Sequence, residues 1–136
     1  MELLNKIQQS LKAPKGQYNS FGKYKYRSCE DILTAVKPLL GSGILTMSDE
    51  VVECGGRVFI RATVTLTDGG VGFCVTALAR EPESRKGMDA SQITGCTSSY
   101  ARKYALNGLF CIDDVKDADS DEHNNKADDE PCDGQW

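Results

Sequence analysis

The chain has 136 residues, of which 40% are hydrophobic and 26% are charged, and its net charge is −4. This is the composition of a soluble globular protein, and the length accommodates one domain with a core. No apolar run approaches the roughly 20 residues that a membrane-spanning helix requires, so a membrane protein is not expected.

Charge is divided unevenly along the sequence. Residues 1–112 contain 14 Lys and Arg against 10 Asp and Glu, whereas residues 113–136 contain 2 against 10. A stretch with many acids and few apolar side chains buries too little surface to offset the entropy lost on ordering. We therefore expect one folded domain over residues 1–116, followed by an acidic, disordered tail over residues 117–136.

The first predicted element is an amphipathic helix over residues 2–12. Four apolar side chains recur there at helical spacing, namely Leu3, Leu4, Ile7 and Leu11. The same region lacks the unbroken apolar centre and the cleavage site of a signal peptide, so a cytoplasmic location is expected.

A second helix is predicted after the segment KGQYNSFGKYKYRS, which is rich in Gly, Tyr and Lys. Ser28 stands at its N-cap position, and Asp31 three residues later completes a capping box. The helical stripe of apolar residues that follows ends at Gly41.

The middle of the chain changes to a two-residue period. RVFIRATVTLTD alternates strictly between apolar and polar side chains, and GVGFCVTALAR repeats the alternation. Asp68-Gly69-Gly70 and Gly55-Gly56 are hairpin links, and the segment before the second link, GILTMSDEVVEC, supplies a third strand. One face of this sheet is expected to be apolar, and the other rich in threonine and arginine.

A last helix is expected to begin near Ala90, where Asp89 and Gln92 form a variant capping box. At helical spacing Tyr100 and Tyr104 fall on the side that we expect to pack on the sheet. Arg102 and Lys103 are then expected to project away from it. The predicted fold class is α+β, a three-stranded antiparallel β-meander with helices packed on one face.

The cations of the domain concentrate in three places, two of which also contain tyrosines. Such a set neutralises phosphates, and interleaved tyrosines stack on unpaired bases. Single-stranded nucleic acid fits better than duplex, because two cations without Asn or Gln neighbours make a poor recognition helix. The candidate nucleic-acid-binding residues are Lys23, Tyr24, Lys25, Tyr26, Arg27, Arg57, Arg61, Arg102 and Lys103.

Each group also has a plain structural interpretation. KYKYR alternates, so it is equally consistent with a solvated edge strand whose lysines discourage pairing. Arg102 and Lys103 are equally consistent with a solvent-exposed helix face or with a contact to a neighbouring subunit.

Two motifs carry a family resemblance. One is G-K-Y-x-Y-R-S, found here as Gly22–Ser28, and the other is S-Y-A-R-K-Y-A-L-x-x-L-F, found as Ser99–Phe110 and followed by Asp113 and Asp114. Through them residues 2–119 resemble the ERF (essential recombination function) family of phage single-strand annealing proteins.

The resemblance implies an ATP-independent protein without a cofactor that coats single-stranded DNA and pairs complementary strands. It implies assembly into rings or filaments, a β-β-β-α core, and DNA in a basic groove shared between subunits. The location implied for a phage-encoded member is the bacterial host cytoplasm. The groove residues that the resemblance implies are Lys23, Lys25, Arg27, Arg57, Arg61, Arg102 and Lys103.

Two other classes of function stay open at this stage. A small nuclease would use Asp113, Asp114 and other acids to hold magnesium, but these acids lie at a helix exit and in the expected disordered run, and no Glu-x-Lys-like or histidine base accompanies them. An oligomeric scaffold would assemble without binding DNA. We expect no enzyme and no catalytic residues, because annealing makes and breaks no bond. We also expect no metal, because the six cysteines are scattered without a C-x-x-C pair and His123 is the only imidazole.

The acidic tail has three interpretations. It competes with nucleic acid for the basic groove, it docks through Trp136 on a host or phage replication or recombination partner, or it only keeps the protein in solution.

Overall fold

The computed structural model describes residues 1–113, so the predicted boundary after residue 116 and the predicted disorder of the tail lie outside the described residues. Three α-helices and five β-strands occur within them. In chain order the elements are α1 (Glu2–Ser10), β1 (Gln17–Asn19), β2 (Tyr24–Tyr26), α2 (Cys29–Val36), a short 3₁₀ helix (Lys37–Leu39), β3 (Ile44–Cys54), β4 (Arg57–Asp68), β5 (Val71–Arg80) and α3 (Ala90–Phe110).

Strands β3, β4 and β5 form the antiparallel meander that the alternating sequence predicts. β4 lies in the centre, and its Val64 is directly opposite Met47 of β3 and Val75 of β5. Both links contain glycine pairs with positive φ, a conformation that glycine adopts without a steric penalty. The prediction of an α+β fold with a three-stranded antiparallel sheet is therefore confirmed.

One face of this sheet carries the core. The inward residues of β4 are buried, and they pack with apolar side chains of all three helices. No residue of the opposite face belongs to this cluster. Its side chains are exposed on β3 except for the half-buried Val52, half-buried or exposed on β4, and exposed on β5. We call that side the open sheet face. It consists of the residues whose side chains point away from the helices, with Arg57, Phe59, Arg61, Thr63, Thr65 and Thr67 along β4.

Helix α1 docks against the end of α3. Ile7 is buried in the core, and the side-chain amide of Gln8 donates a hydrogen bond to the carbonyl oxygen of Leu109 at 2.9 Å. This bond satisfies one of the carbonyls that a helix leaves without an internal partner at its C-terminus. The apolar side chains that predicted α1 thus pack into the core of the domain.

Both predicted capping boxes are present. At α2 the hydroxyl of Ser28 accepts from the amide of Asp31 at 3.0 Å, and the Asp31 carboxylate accepts from the amide of Ser28 at 2.9 Å. At α3 the same exchange joins Asp89 and Gln92, with both distances 2.9 Å. Within residues 1–113 no helix is long and apolar enough to cross a membrane. The cytoplasmic location stays a prediction.

Strands β1 and β2 form a separate two-stranded hairpin. β2 lies within KYKYR, for which a strand was one of the two interpretations, whereas β1 and the hairpin were not predicted. They pair antiparallel, with Tyr18 opposite Lys25 and Asn19 opposite Tyr24. Each strand has only three residues, which is too short for alternation to distinguish a hairpin from a loop.

Candidate nucleic-acid interface

The turn of the β1–β2 hairpin is held by one buried side chain. The Oδ1 atom of Asn19 accepts hydrogen bonds from the amides of Phe21 and Gly22, each at 3.0 Å. Its Nδ2 atom donates to the hydroxyl of Tyr24 across the hairpin at 3.1 Å. The backbone of the turn is therefore fixed by the side chain of the strand that precedes it.

The first residues of the G-K-Y motif are explained by the shape of this turn. A Cβ atom at Gly22 would lie 2.4 Å from the ring of Tyr24, so only glycine allows the ring to lie over the backbone. Lys23 has φ of 55°, a left-handed conformation that costs a non-glycine residue about 1 kcal/mol or more. The motif therefore specifies the geometry of a hairpin.

The hairpin separates its tyrosines from its lysines. Tyr24 and Tyr26 are buried, and so is Arg27, whereas Lys23 and Lys25 are exposed. Strand geometry requires this division, because successive side chains point to opposite faces. Of the candidate DNA-binding residues in this segment, the structure presents the two lysines to solvent. Contact between DNA and the three buried side chains stays a prediction that the geometry does not favour.

Two exposed aromatic residues of the hairpin were missed by the sequence analysis. Phe21 at the turn is 81% exposed, and Tyr18 is 60% exposed on the same hairpin face as Lys25. The signal that identifies Tyr18 is its register, since a residue paired with an exposed lysine shares its face. The position of Phe21 follows only from the turn that Asn19 holds.

The open sheet face carries the two arginines predicted on β4. Arg57 is exposed beside the β3–β4 link, and Arg61 forms an ion pair with Glu50, its cross-strand partner on β3. Such a solvent-exposed pair contributes little to stability and exchanges readily with another anion. Arg80, which the sequence analysis did not select, is exposed on the same face opposite Phe59.

Arg102 does not project into solvent as predicted. Its Nε and Nη2 atoms donate to Oδ1 and Oδ2 of Asp49 at 3.0 Å each, a bidentate pair in which the side chains are 21% and 25% exposed. The hydroxyl of Ser98 donates to the same carboxylate. Asp49 lies on β3 opposite Ala62, on the helix-covered face, so Arg102 faces the sheet. The expectation that it points away from the sheet is wrong.

Lys103 is also buried, with 6% of its surface exposed. Its Nζ atom lies 4.7 Å from the ring centroid of Tyr100 and 5.4 Å from that of Tyr104. The two ring centroids are 4.9 Å apart, and the two hydroxyls are 3.1 Å apart. The tyrosines are half-buried and enclose the ammonium group, which is a cation–π arrangement. The prediction that Lys103 projects into solvent is therefore wrong.

The error over α3 has a physical reason. Buried residues occur on most of the helix surface because the sheet packs on one side and α1 and α2 pack on another. Many of these residues are Ala, Ser or Thr, whose size and polarity do not mark a buried face. Gly108 of the predicted stripe does face Val75 of β5, but periodicity alone did not show that Arg102 and Lys103 on the remaining surface are also covered.

The described residues show no candidate metal centre. Between Met1 and Asp113 there is no group of three or more His, Cys, Asp and Glu side chains placed to hold an ion. Asp113 is exposed after α3, and Asp114 lies outside the described residues.

Comparison with known proteins gives a family match over nearly the whole sequence. A model described as ERF superfamily matches residues 1–132. The chain is 64% identical over 120 residues to the "Essential recombination function protein" of Salmonella phage P22. The alignment covers 88% of this chain and 58% of that relative, so the chain spans little more than half of the relative's length. No solved structure matches.

Proposed function

The chain belongs to the ERF superfamily, and from this membership we propose that it acts in phage recombination by binding single-stranded DNA and annealing complementary strands. The observation that carries the proposal is the 64% identity to a phage protein named for essential recombination function. The proposed activity makes and breaks no covalent bond and uses neither ATP nor a metal.

The distribution of exposed charge supports binding to the DNA backbone. Lys23 and Lys25 on the hairpin and Arg57 and Arg61 on the open sheet face are accessible to phosphates. Each cation that neutralises a phosphate releases condensed counterions, which makes the affinity dependent on salt. Arg61 would exchange the carboxylate of Glu50 for a phosphate, because that pair is exposed on both sides.

The geometry of α3 argues against sequence-specific binding to a duplex. A recognition helix presents several free base-reading side chains to the major groove. Here Arg102 is engaged by Asp49, and Lys103 is enclosed by two tyrosines. We therefore assign α3 a positioning role, in which it packs against the sheet, and leave DNA contacts to the exposed cations.

Annealing follows from holding one strand by its backbone while its bases stay accessible. Neutralised phosphates remove much of the repulsion between two polyanions, so a complementary strand can test its register. A domain of this size touches few nucleotides, and useful affinity requires many linked subunits. Assembly into a ring or filament is therefore part of the proposal.

The decisive experiment is strand annealing measured by energy transfer. Two complementary labelled oligonucleotides are mixed with and without the protein, in the absence of ATP, at low and at high salt. Faster pairing that weakens with salt supports the proposal, and a non-complementary pair controls for aggregation. No acceleration by a folded protein contradicts annealing.

The same samples separate the two alternative functions. Loss of labelled DNA that depends on magnesium would favour the nuclease. A flat titration with single-stranded DNA, together with a large assembly, would favour the scaffold.

Partner binding through the acidic tail is a further part of the proposal, and the tail lies outside the described residues. A variant that lacks residues 117–136 tests self-competition. If the tail competes with DNA, its removal raises the affinity for single strands and steepens the salt dependence. Unchanged values contradict this role.

A further inference from the structure

We infer that the β1–β2 hairpin is a base-stacking platform, in which the exposed rings of Tyr18 and Phe21 bind unpaired bases between phosphate contacts made by Lys23 and Lys25. The inference rests on the proposed function and deepens it, since it names the part of the domain that distinguishes single strands from duplex. The tyrosines that the sequence singled out, Tyr24 and Tyr26, are buried and have a structural role instead.

The exposure of the rings and the charge of the hairpin together favour single-stranded nucleic acid as its ligand. Phe21 and Tyr18 are the two most exposed aromatic rings within residues 1–113, and they stand three residues apart on one hairpin. Residues 17–26 contain two lysines and no acid. An apolar protein partner would gain nothing from the lysines, whereas a single strand offers a phosphate and a base face at every nucleotide.

The platform is preorganised. Asn19 fixes the amides of Phe21 and Gly22, and Gly22 lies under the ring of Tyr24. The backbone of the turn is therefore ordered, while the phenyl ring of Phe21 stays in solvent. The next residue, Lys23, is held at φ of 55°. Strained backbone in an ordered turn is typical of positions where a side chain must be presented in one direction. Binding therefore orders few new groups, which preserves affinity.

Stacking also explains discrimination between single and double strands. The base faces of a duplex are already stacked on each other, and only its phosphates remain available to Lys23 and Lys25. Cations on the open sheet face bind either form. The hairpin rings are then the groups that add affinity only when bases are unpaired.

The test compares three variants on three DNA probes. The variants are Phe21→Ala, Tyr18→Ala and the control Phe73→Ala, which removes an exposed aromatic ring from the β4–β5 hairpin. The probes are a mixed-sequence single strand, an abasic strand of equal length and the matching duplex. Thermal unfolding of each variant is measured alongside, and unchanged transitions are expected because all three rings are exposed.

The expected result is a loss confined to strands with free bases. Phe21→Ala and Tyr18→Ala each lower the affinity for the mixed-sequence strand by between about 5-fold and 100-fold. The affinities for the abasic strand and the duplex stay at the wild-type values, and Phe73→Ala binds all three probes like the wild type.

Three outcomes overturn the inference. Equal losses on the normal and the abasic strand would show that the rings act through assembly or folding. Unchanged affinity for the normal strand would place the bases elsewhere, with the proposed function intact. Failure of the wild-type protein to bind any single strand would overturn the proposed function, and this inference with it.

A fluorescence measurement observes the stacking directly. The chain contains a single tryptophan, Trp136, so Phe21→Trp in a Trp136→Phe background places the only indole at the hairpin turn. Stacking quenches its emission on addition of the normal strand, and the abasic strand leaves the emission unchanged. A normal strand that binds without quenching would contradict the inference.

Discussion

The β1–β2 hairpin exposes its lysines and buries two tyrosines, whereas α3 buries its lysine and leaves two tyrosines half-exposed. Both segments interleave Tyr with cations, so their compositions predict the same behaviour. The difference lies in the backbone period. In β2 alternate residues point to opposite faces, which separates Lys25 from its two tyrosine neighbours.

In α3 the helical period brings the same residue types together. Tyr100, Lys103 and Tyr104 are three and four residues apart, which places them side by side on a helix surface. The ammonium group is then enclosed by aromatic rings and lost to solvent. A tyrosine–lysine motif therefore exposes its lysines in this strand hairpin and encloses its lysine in this helix.

The largest expected effect comes from breaking the attachment of α3 to β3. Asp49→Ala leaves the guanidinium of Arg102 partly buried without its bidentate carboxylate, and should lower the free energy of unfolding by about 2–3 kcal/mol. Denaturant unfolding measures this change. The matched control is Glu50→Ala, which breaks the exposed pair with Arg61 and should cost about 0.5 kcal/mol. Equal losses would show that Arg102 is not a structural anchor.

Next in size is the effect of filling the space under the hairpin ring. Gly22→Ala places a methyl group against the buried ring of Tyr24 and should destabilise the protein by about 1–2 kcal/mol. Gly72→Ala is the control, since its nearest contact is Thr67 at an ordinary 3.4 Å. A Gly22→Ala variant that loses affinity for DNA without losing stability would contradict the structural role of Gly22.

The same substitution, lysine to methionine, in α3 and in the β1–β2 hairpin tests the difference between the two segments. Lys103→Met keeps the aliphatic packing but removes the cation–π contact, so stability should fall by about 1 kcal/mol while affinity for single strands stays the same. Lys25→Met should leave stability unchanged, lower the affinity, and reduce the salt slope by about 1. Thermal unfolding and salt-dependent binding isotherms measure both. The reverse pattern would assign the DNA contact to α3.

The smallest expected change in stability is at the hairpin turn. Lys23→Gly relieves the left-handed backbone, and should raise the free energy of unfolding by up to about 1 kcal/mol while weakening binding to single strands. Lys23→Gln removes the charge and keeps the strained conformation. It should therefore weaken binding to single strands equally, without raising the free energy of unfolding. Gain of stability with full DNA affinity would exclude Lys23 from the interface.

Much of the fold follows from local patterns in the sequence. Alternation identifies β4 and β5, glycine pairs mark the two links, and Ser28 and Asp89 mark the starts of α2 and α3. These signals are local, because they depend on backbone preference and on side chains within three residues.

The site was less accessible to prediction because its decisive contacts are not local. Asp49 and Arg102 are 53 residues apart, and no pattern near either of them shows that they pair. Burial of Lys103 depends on tyrosines that are visible in the sequence, but only the packing of α3 shows that the three side chains enclose one another. Phe21 stands in a turn whose shape depends on Asn19, so its exposure required the structure.

The contact between α1 and α3 makes the order of synthesis matter. Gln8 and Leu109 are 101 residues apart, so a ribosome makes α1 long before its binding surface exists. Until α3 emerges, the apolar face of the sheet lacks the helix that covers most of it, and α1 lacks the helix end on which it docks. Chains interrupted before Phe110 would expose both surfaces and aggregate, and the complete domain would form only after α3 is released. The last helix is therefore the step that commits the nascent chain to its fold.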